Sequence, residues 1–410
     1  MLITNIKYLA NVRENTERLR GHQLAEMPVI ENAYLKIHDG RIDEYGKMED
    51  LHHFGDYNIF DADGKSILPA WCDSHSHLVF AASRETEFID KIKGLSYAEI
   101  AAKGGGILNS ARKLEETSEE ILFQLAKERL VKLIKLGTGA LEIKSGYGLS
   151  LHAELKMLRV IKRLKEWAPI PIKATFLGAH AIPAAYKENR RAYIDIILNE
   201  MLPAIAEEGL AEYIDVFCEV GFFTQSETEE ICNAGKQYGL KPKIHANQLN
   251  ISGGVQAGYN NGAVSVDHLE TISDEEIRIL GLPESPMATL LPTAAYFLKM
   301  GFPPARKLID NNAAVVLASD FNPGSSPSGN MNFVVSMSCI QMKMLPEEAI
   351  NAATANGAFA MELEDEVGSI SIGKRANLIL TKEIPSLAYL PYSFGENLID
   401  KVIINGDFFE

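Results

Sequence analysis

Two histidines one residue apart, His75 and His77, stand in the stretch Asp73-Ser74-His75-Ser76-His77. The apolar run before them, Ile67 to Ala70, reads as a buried strand. Residues two apart on a strand face the same way, so both imidazoles project together, as a metal site needs. A pair of imidazoles does not complete a site. The remaining ligands must come from elsewhere in the chain.

Residues 66–360 suggest where. Short apolar runs at 67–71, 139–144, 172–177, 213–218, 243–246, 263–267, 287–291 and 314–319 alternate with amphipathic stretches such as 118–136, 151–166 and 190–208. Eight strand-then-helix units predict an α/β fold, a (β/α)8 TIM-type barrel. An open doubly wound sheet is the rival, and it would usually carry a phosphate-binding glycine loop. Gly104-Gly105-Gly106 follows a helical stretch instead of a strand and reads as a mobile loop.

Chemistry in such a barrel sits at the C-terminal strand ends. Taken in order, those ends carry His75 and His77, Lys144-Ser145-Gly146-Tyr147, His180, Glu219, His245 with Asn247 and Gln248, Asp267-His268, and Ser319-Asp320. Six of the ten histidines lie past residue 70, and five of the six fall at strand ends; His152 is the exception. A buried imidazole needs hydrogen-bond partners, so five on one face are hard to explain as core filling. Three imidazoles and a carboxylate with room for water suit zinc or iron. His75, His77, His245 and Asp320 are the expected ligands of one metal ion per chain, divalent or trivalent. Such a centre activates water near neutral pH. Asp320 could take the water proton and pass it to a leaving nitrogen. His268 could orient the attacking oxygen or polarise a carbonyl, or serve only to hold Asp320 from behind.

The chain ends read differently. Residues 1–65 are β-rich, with strands at 2–8 and 33–38 and a hairpin turn at Asp39-Gly40. After residue 361 short strands return at 367–370 and 378–380, and a hairpin at 398–408 turns at Asn405-Gly406. Residues 1–65 and 361–410 are expected to pair into one small composite β-sandwich domain beside the barrel of residues 66–360. His22, His38, His52 and His53 are expected to be surface or structural.

Composition narrows the class. The 410 residues carry a net charge of -15, with 46% hydrophobic and 23% charged residues. That is ordinary for a globular protein and disfavours nucleic acid or an acidic membrane as partner. No apolar run reaches the roughly 18 residues of a spanning helix, and Met1 to Leu9 lacks a signal-peptide pattern. Cys72, Cys218, Cys232 and Cys339 are scattered, as free thiols in a reducing cytoplasm would be.

His75-Ser76-His77 after an apolar strand, with His245, His268 and Asp320, resembles the amidohydrolase superfamily. Four further features narrow the resemblance: Glu142-Ile143-Lys144-Ser145-Gly146-Tyr147-Gly148, Phe176-Leu177-Gly178-Ala179-His180, Arg84, and Asp320-Phe321-Asn322-Pro323-Gly324-Ser325-Ser326-Pro327. Together they are similar to the imidazolonepropionase family over nearly the whole chain. The resemblance implies hydrolysis of 4-imidazolone-5-propanoate to N-formimidoyl-L-glutamate, the third step of histidine degradation, by a homodimer. It assigns catalysis to Asp320, His268 and His180. It places Arg84 on the substrate carboxylate, Tyr147 and Gln248 on substrate, His180 as a substrate hydrogen-bond donor, and Asn322, Gly324 and Ser325 in the loop that holds the ring. The alternatives are a mononuclear deaminase of a nucleobase-like ring and a metal-free structural relative.

Three positions depart from the family pattern. Gln248 stands where some members have Glu, and an amide cannot act as a base. Asn377 replaces a usual Asp, with structural consequences expected. Glu219 stands where other members carry a metal-bridging lysine, which favours one metal and leaves Glu219 as the one candidate ligand for a second.

Overall fold

Eight short, mostly buried runs form eight parallel strands: Trp71–Asp73, Thr138–Lys144, Ile172–Ala179, Tyr213–Cys218, Lys241–Ala246, Ser265–His268, Met287–Leu290 and Val315–Leu317. In this computed structural model, which describes residues 1–95, 99 and 105–410, they hydrogen-bond in chain order. Helices cover the outside, so the strands are buried almost throughout, as parallel strands require. The first and last strands close the ring. His77 N donates to Phe321 O at 2.8 Å and Asp320 N to His75 O at 3.0 Å. Ser319 adds its backbone N–H and its hydroxyl to Asp73, at 3.0 and 2.5 Å. That seam brings Asp320 beside the two histidines.

The chain ends form the second body, one continuous mixed sheet of eight strands. Its order is Asp407–Phe408, Ile399–Ile404, Leu378–Thr381, Ile67–Pro69, Leu2–Ala10, Val29–His38 and Arg41–Lys47, with Ile59–Asp61 pairing Leu2–Ala10 from the side. Its core is built from Ile3, Ile6, Leu35, Ile37, Leu378, Leu380 and Ile403. Asp39-Gly40 and Asn405-Gly406 have positive φ at both positions, as two-residue hairpin turns with this twist demand. Asn377 ties the two bodies together: its Nδ2 donates to Gly139 O at 2.9 Å and its Oδ1 accepts from Asn405 N at 2.9 Å.

Three expectations are corrected here. The run at 67–71 is not one barrel strand. Ile67–Pro69 pairs in the small sheet, and only Trp71–Asp73 enters the barrel. Pro69 cannot donate to a ladder, and Ala70 N turns to Asn377 O, so the strand breaks between the two sheets. The stretch 190–208 is interrupted as well. Arg190–Ile196 passes through a π-helical turn, Ile197–Met201, into Leu202–Glu208. Pro203 lacks an N–H for the α ladder, and the wider turn accommodates its ring. Residues 367–370 form no strand; Ile370 makes only an isolated bridge to Val12. Of the glycine run, Gly104 lies outside the described residues, and Gly106 precedes the helix Ile107–Glu116 with its N–H on Glu87 Oε1.

Candidate metal centre and active-site cavity

All five strand-end histidines converge. His75 and His77 continue the first barrel strand, His180 follows the third, and His245 and His268 lie at the ends of the fifth and sixth. Their rings sit 4.5 to 5.9 Å apart, centre to centre, in seven pairings. His77 Nε2 and His245 Nε2 are 3.4 Å apart. Asp320 Oδ1 lies 3.5 Å from both His75 Nε2 and His77 Nε2. Such spacings match the edges of a tetrahedron with ligand distances near 2.1 Å, the length of a zinc–imidazole bond. His75, His77 and His245 also form the one three-residue cluster with metal-ligand spacing among the described residues. His75 Nε2 is fully buried and has no hydrogen-bond partner among the described residues. A cation at that point satisfies it, so the residues fit a divalent ion. Asp320 takes the left-handed conformation, φ +50°, which turns its carboxyl inward from the seam.

The carboxylates behind the imidazoles escaped sequence reading. His75 Nδ1 meets Asp267 Oδ2 at 2.7 Å. His245 Nδ1 lies 2.9 Å from Asp215 Oδ2, and its backbone N–H donates to Asp215 Oδ1 at 3.1 Å. A carboxylate on Nδ1 leaves Nε2 free to face a metal. His268 has the same support from Glu270, at 3.3 Å. Strand periodicity was the only available signal: Asp267 and Asp215 each stand at the inward-facing phase of a strand, where an unpaired carboxylate is costly.

Electrostatics separate the groups. Burial lowers His75 and His77 well below the usual imidazole range, and neighbouring Lys144 and His180 add to it. Burial likewise takes His180 down to about 3. Burial opposes protonation of His268 too, but Glu270, Asp320 and Asp267 outweigh it and raise it to about 9. Burial pushes Asp320 up to about 6 against the pull of His268 and His245. A cation bound at Asp320 favours the carboxylate.

Above the centre opens a cavity of about 690 Å³. Its wall contains every expected substrate residue: Arg84, Tyr147, His180, Gln248, Asn322, Gly324 and Ser325. Arg84 Nε donates to Ser110 Oγ at 2.8 Å, and the guanidinium lies over the Tyr147 ring at 5.8 Å. Its Nη2 is buried without a partner among the described residues. Tyr147 is only 3% exposed, and burial raises its hydroxyl pKa. A Cβ on Gly324 would meet Arg84 Nη1 at 2.5 Å, so any side chain at this loop position would push the end of the guanidinium aside. His180 stacks on His77, and its Nδ1 lies 3.0 Å from Gly146 O.

Two residues have their polar atoms committed elsewhere. Asn322 Nδ2 donates to Asp320 O and Ser325 Oγ, and its Oδ1 accepts from Gly324 N and Ser325 N. The side chain therefore braces the loop. Glu219 accepts from the backbone of Val220, Leu249 and Asn250 and from Asn250 Nδ2. Those four bonds fill its oxygens and hold the segment that carries Gln248. Outside the site, His22, His38, His52, His53 and His152 are exposed, and the four cysteines are free thiols. No helix among the described residues is long and apolar enough to cross a membrane.

Comparison with known proteins agrees with this geometry. Residues 66–408 match the Amidohydrolase family. The chain is 55% identical over 408 residues to the imidazolonepropionase of Christiangramia forsetii, covering 99% of both. It is 56% identical over 406 residues to that of Flavobacterium johnsoniae, covering 99% of this chain and 98% of the relative. Among solved structures, a 5-methylcytosine deaminase from Klebsiella pneumoniae superposes with a TM-score of 0.74 at 16% identity, covering 100% of this chain and 97% of that one. An adenosine deaminase from Xanthomonas campestris with bound zinc gives 0.68 at 15%, covering 99% and 92%. At such identities the deaminases share the fold alone. Identity above one half along the full length, with the barrel, the inward histidines and the arginine-lined cavity, places this chain in the imidazolonepropionase family of amidohydrolases.

Proposed function

We propose that the cavity binds 4-imidazolone-5-propanoate and that the centre below it opens the ring with water to give N-formimidoyl-L-glutamate. One observation carries the substrate: Arg84, in the wall of the cavity that also holds the imidazoles, has an Nη2 that is buried and without a partner among the described residues. A fixed cation beside a hydrolytic centre suits a small ring bearing a carboxylate. A nucleobase-like ring has no carboxylate to meet it.

His75, His77, His245 and Asp320 would hold one divalent ion, zinc or iron. When bound, that ion supplies Lewis acidity and lowers the pKa of water at the site. The other steps belong to the chain. Arg84 and Tyr147 orient the propionate arm. The ring carbonyl carbon is attacked by water, Asp320 takes the proton, and the C–N bond breaks as Asp320 returns a proton to the leaving nitrogen. His268, anchored by Glu270, turns its Nε2 toward the developing oxyanion. The Gly146 carbonyl can only accept, so it takes the Nδ1 proton of His180. A neutral His180 then presents Nε2 as an acceptor for a substrate N–H, the reverse of the donor role expected from the resemblance. Ser325 and the Gly324 backbone complete the ring pocket, with Asn322 holding both in place.

Two tests belong here. Elemental analysis of active protein is expected to give about one zinc or iron per chain, because the oxygens of Glu219 are committed to the 249–250 segment. Two tightly held ions would overturn the single-metal reading. Gln248→Ala is expected to lower kcat/KM by about three- to tenfold, the worth of one neutral hydrogen bond, while Gln248→Glu keeps turnover. Wild-type kcat/KM in the alanine variant would remove Gln248 from the substrate contacts. The reaction itself is tested by loss of the ultraviolet absorbance of freshly made imidazolone propionate.

A further inference from the structure

Beneath the imidazoles lies a layer of charge that the hydrolytic steps leave unused. Glu142 and Lys144 stand on the second barrel strand, Asp215 on the fourth, Lys243 on the fifth and Asp267 on the sixth. All five are 0–1% exposed. Lys144 Nζ donates to Glu142 Oε1 at 2.6 Å and to Asp215 Oδ2 at 2.8 Å, and it lies 3.6 Å from Asp267 Oδ2. Asp215 and Asp267 are the two carboxylates behind His245 and His75. One ammonium with three donors therefore reaches both. Lys243 is buried equally but sits differently. It pairs with Glu142 and lies 3.4 Å from Ser74 O.

An ion pair at this depth is a poor way to gain stability, because desolvation offsets most of the attraction. What the arrangement supplies is direction. Asp267 Oδ1 accepts from Ser265 Oγ at 2.6 Å and Asp215 Oδ1 from the His245 N–H at 3.1 Å, but the oxygen of each that faces the imidazole, Oδ2, has Lys144 behind it. Held from the far side by an ammonium, it fixes the plane of the ring. His77 has no such support, since no carboxylate lies against its Nδ1 among the described residues. Its orientation rests on the backbone bond of residue 77 to Phe321 and on stacking against His180.

Building on the metal-centre reading above, we propose that Lys144 is a positioning residue for the metal ion: it locks Asp215 and Asp267, and through them the direction in which His245 and His75 offer Nε2. The two consequences of removing it have opposite signs. Loss of its charge leaves the layer more negative, which by attraction alone would tighten cation binding. Loss of the tether leaves each carboxylate held at Oδ1 alone and frees the Oδ2 that faces the imidazole, which loosens binding. Positioning therefore predicts a fall where charge predicts a rise.

Zinc and cobalt affinities of the full-length protein are measured by competition with a chromophoric chelator, and the cobalt-loaded protein is read by its visible absorption. Lys144→Met is expected to bind either ion about 10- to 100-fold more weakly, the usual effect of removing support behind metal ligands, with a shifted and broadened cobalt band. Lys144→Met combined with Glu142→Gln keeps the net charge of the layer and strands no carboxylate at 142. It is expected to show the same loss, and it stands in if the single variant does not fold. Lys243→Met, equally buried but with its ammonium on Glu142 and not paired with Asp215 or Asp267, is expected to keep wild-type affinity and spectrum. Wild-type affinity in the Lys144 and Glu142 double variant, or an equal loss in Lys243→Met, would overturn the positioning role. Wild-type protein that binds neither ion would instead sink the metal-centre reading, and this inference with it.

Discussion

Asp320→Asn is expected to lose about a hundredfold or more in kcat while the fold and the ion survive. The substitution changes little in shape. Asn is one of the few residues that accept positive φ readily, so the backbone at φ +50° is preserved. Its carbonyl oxygen can still face the Nε2 atoms of His75 and His77, and the Ser325 hydroxyl, now 3.3 Å from Oδ2, keeps a neighbour. What the amide lacks is a site for a proton. Removing a positioned general base typically costs on the order of 10²–10⁴ in rate. Metal content and kcat are measured on the same preparation, so that a lost ion is not read as a lost base. Turnover near wild type with the ion in place would end the proton-shuttle role.

Arg84→Met is expected to weaken kcat/KM for the propionate substrate by about ten- to a hundredfold, the worth of a charged hydrogen bond of roughly 1.5–3 kcal/mol. Methionine keeps the apolar stem against the cavity wall and removes the fork. The structure sharpens the test. Ser110 holds only Nε, so the end of the guanidinium is left for a ligand. The Tyr147 ring lies 5.8 Å from the guanidinium on the same cavity wall. An imidazolone without the carboxylate should be turned over almost unchanged by the variant. Equal losses on both substrates would make Arg84 a structural residue and reopen the deaminase alternative.

The sequence by itself determined the barrel and pointed to most of the candidate ligands, because both are encoded locally. Alternating apolar runs and amphipathic stretches specify strand and helix over five to twenty residues at a time. His75, His77, His245 and Asp320 each stand at the end of such a run, and the barrel architecture alone sends strand ends to one face. Arg84 and Tyr147 were legible through motif resemblance, and the cavity contains both. Asp215, Asp267, Glu270 and Lys144 were not legible as supports. Except for Glu270, two residues from His268, their partners stand on other strands: Asp267 meets a histidine 192 positions away, and Lys144 meets a carboxylate 71 positions away. Strand periodicity says that such a residue points inward, but not which imidazole waits there.

Register decided the remainder. The run at 67–71 has enough apolar residues for one buried strand, yet its first half is claimed by Leu378–Thr381 from the far end of the chain. Asn322 looks like a substrate ligand by type and position, yet its four hydrogen bonds are filled by its own loop. Glu219 could have held a second ion by chemistry alone, until the backbone of residues 249 and 250 folded onto it. In each case the residue type set what bonds were possible. Which of them formed depended on competition among groups distant in the chain, and only the closed barrel brings those groups within reach of one another.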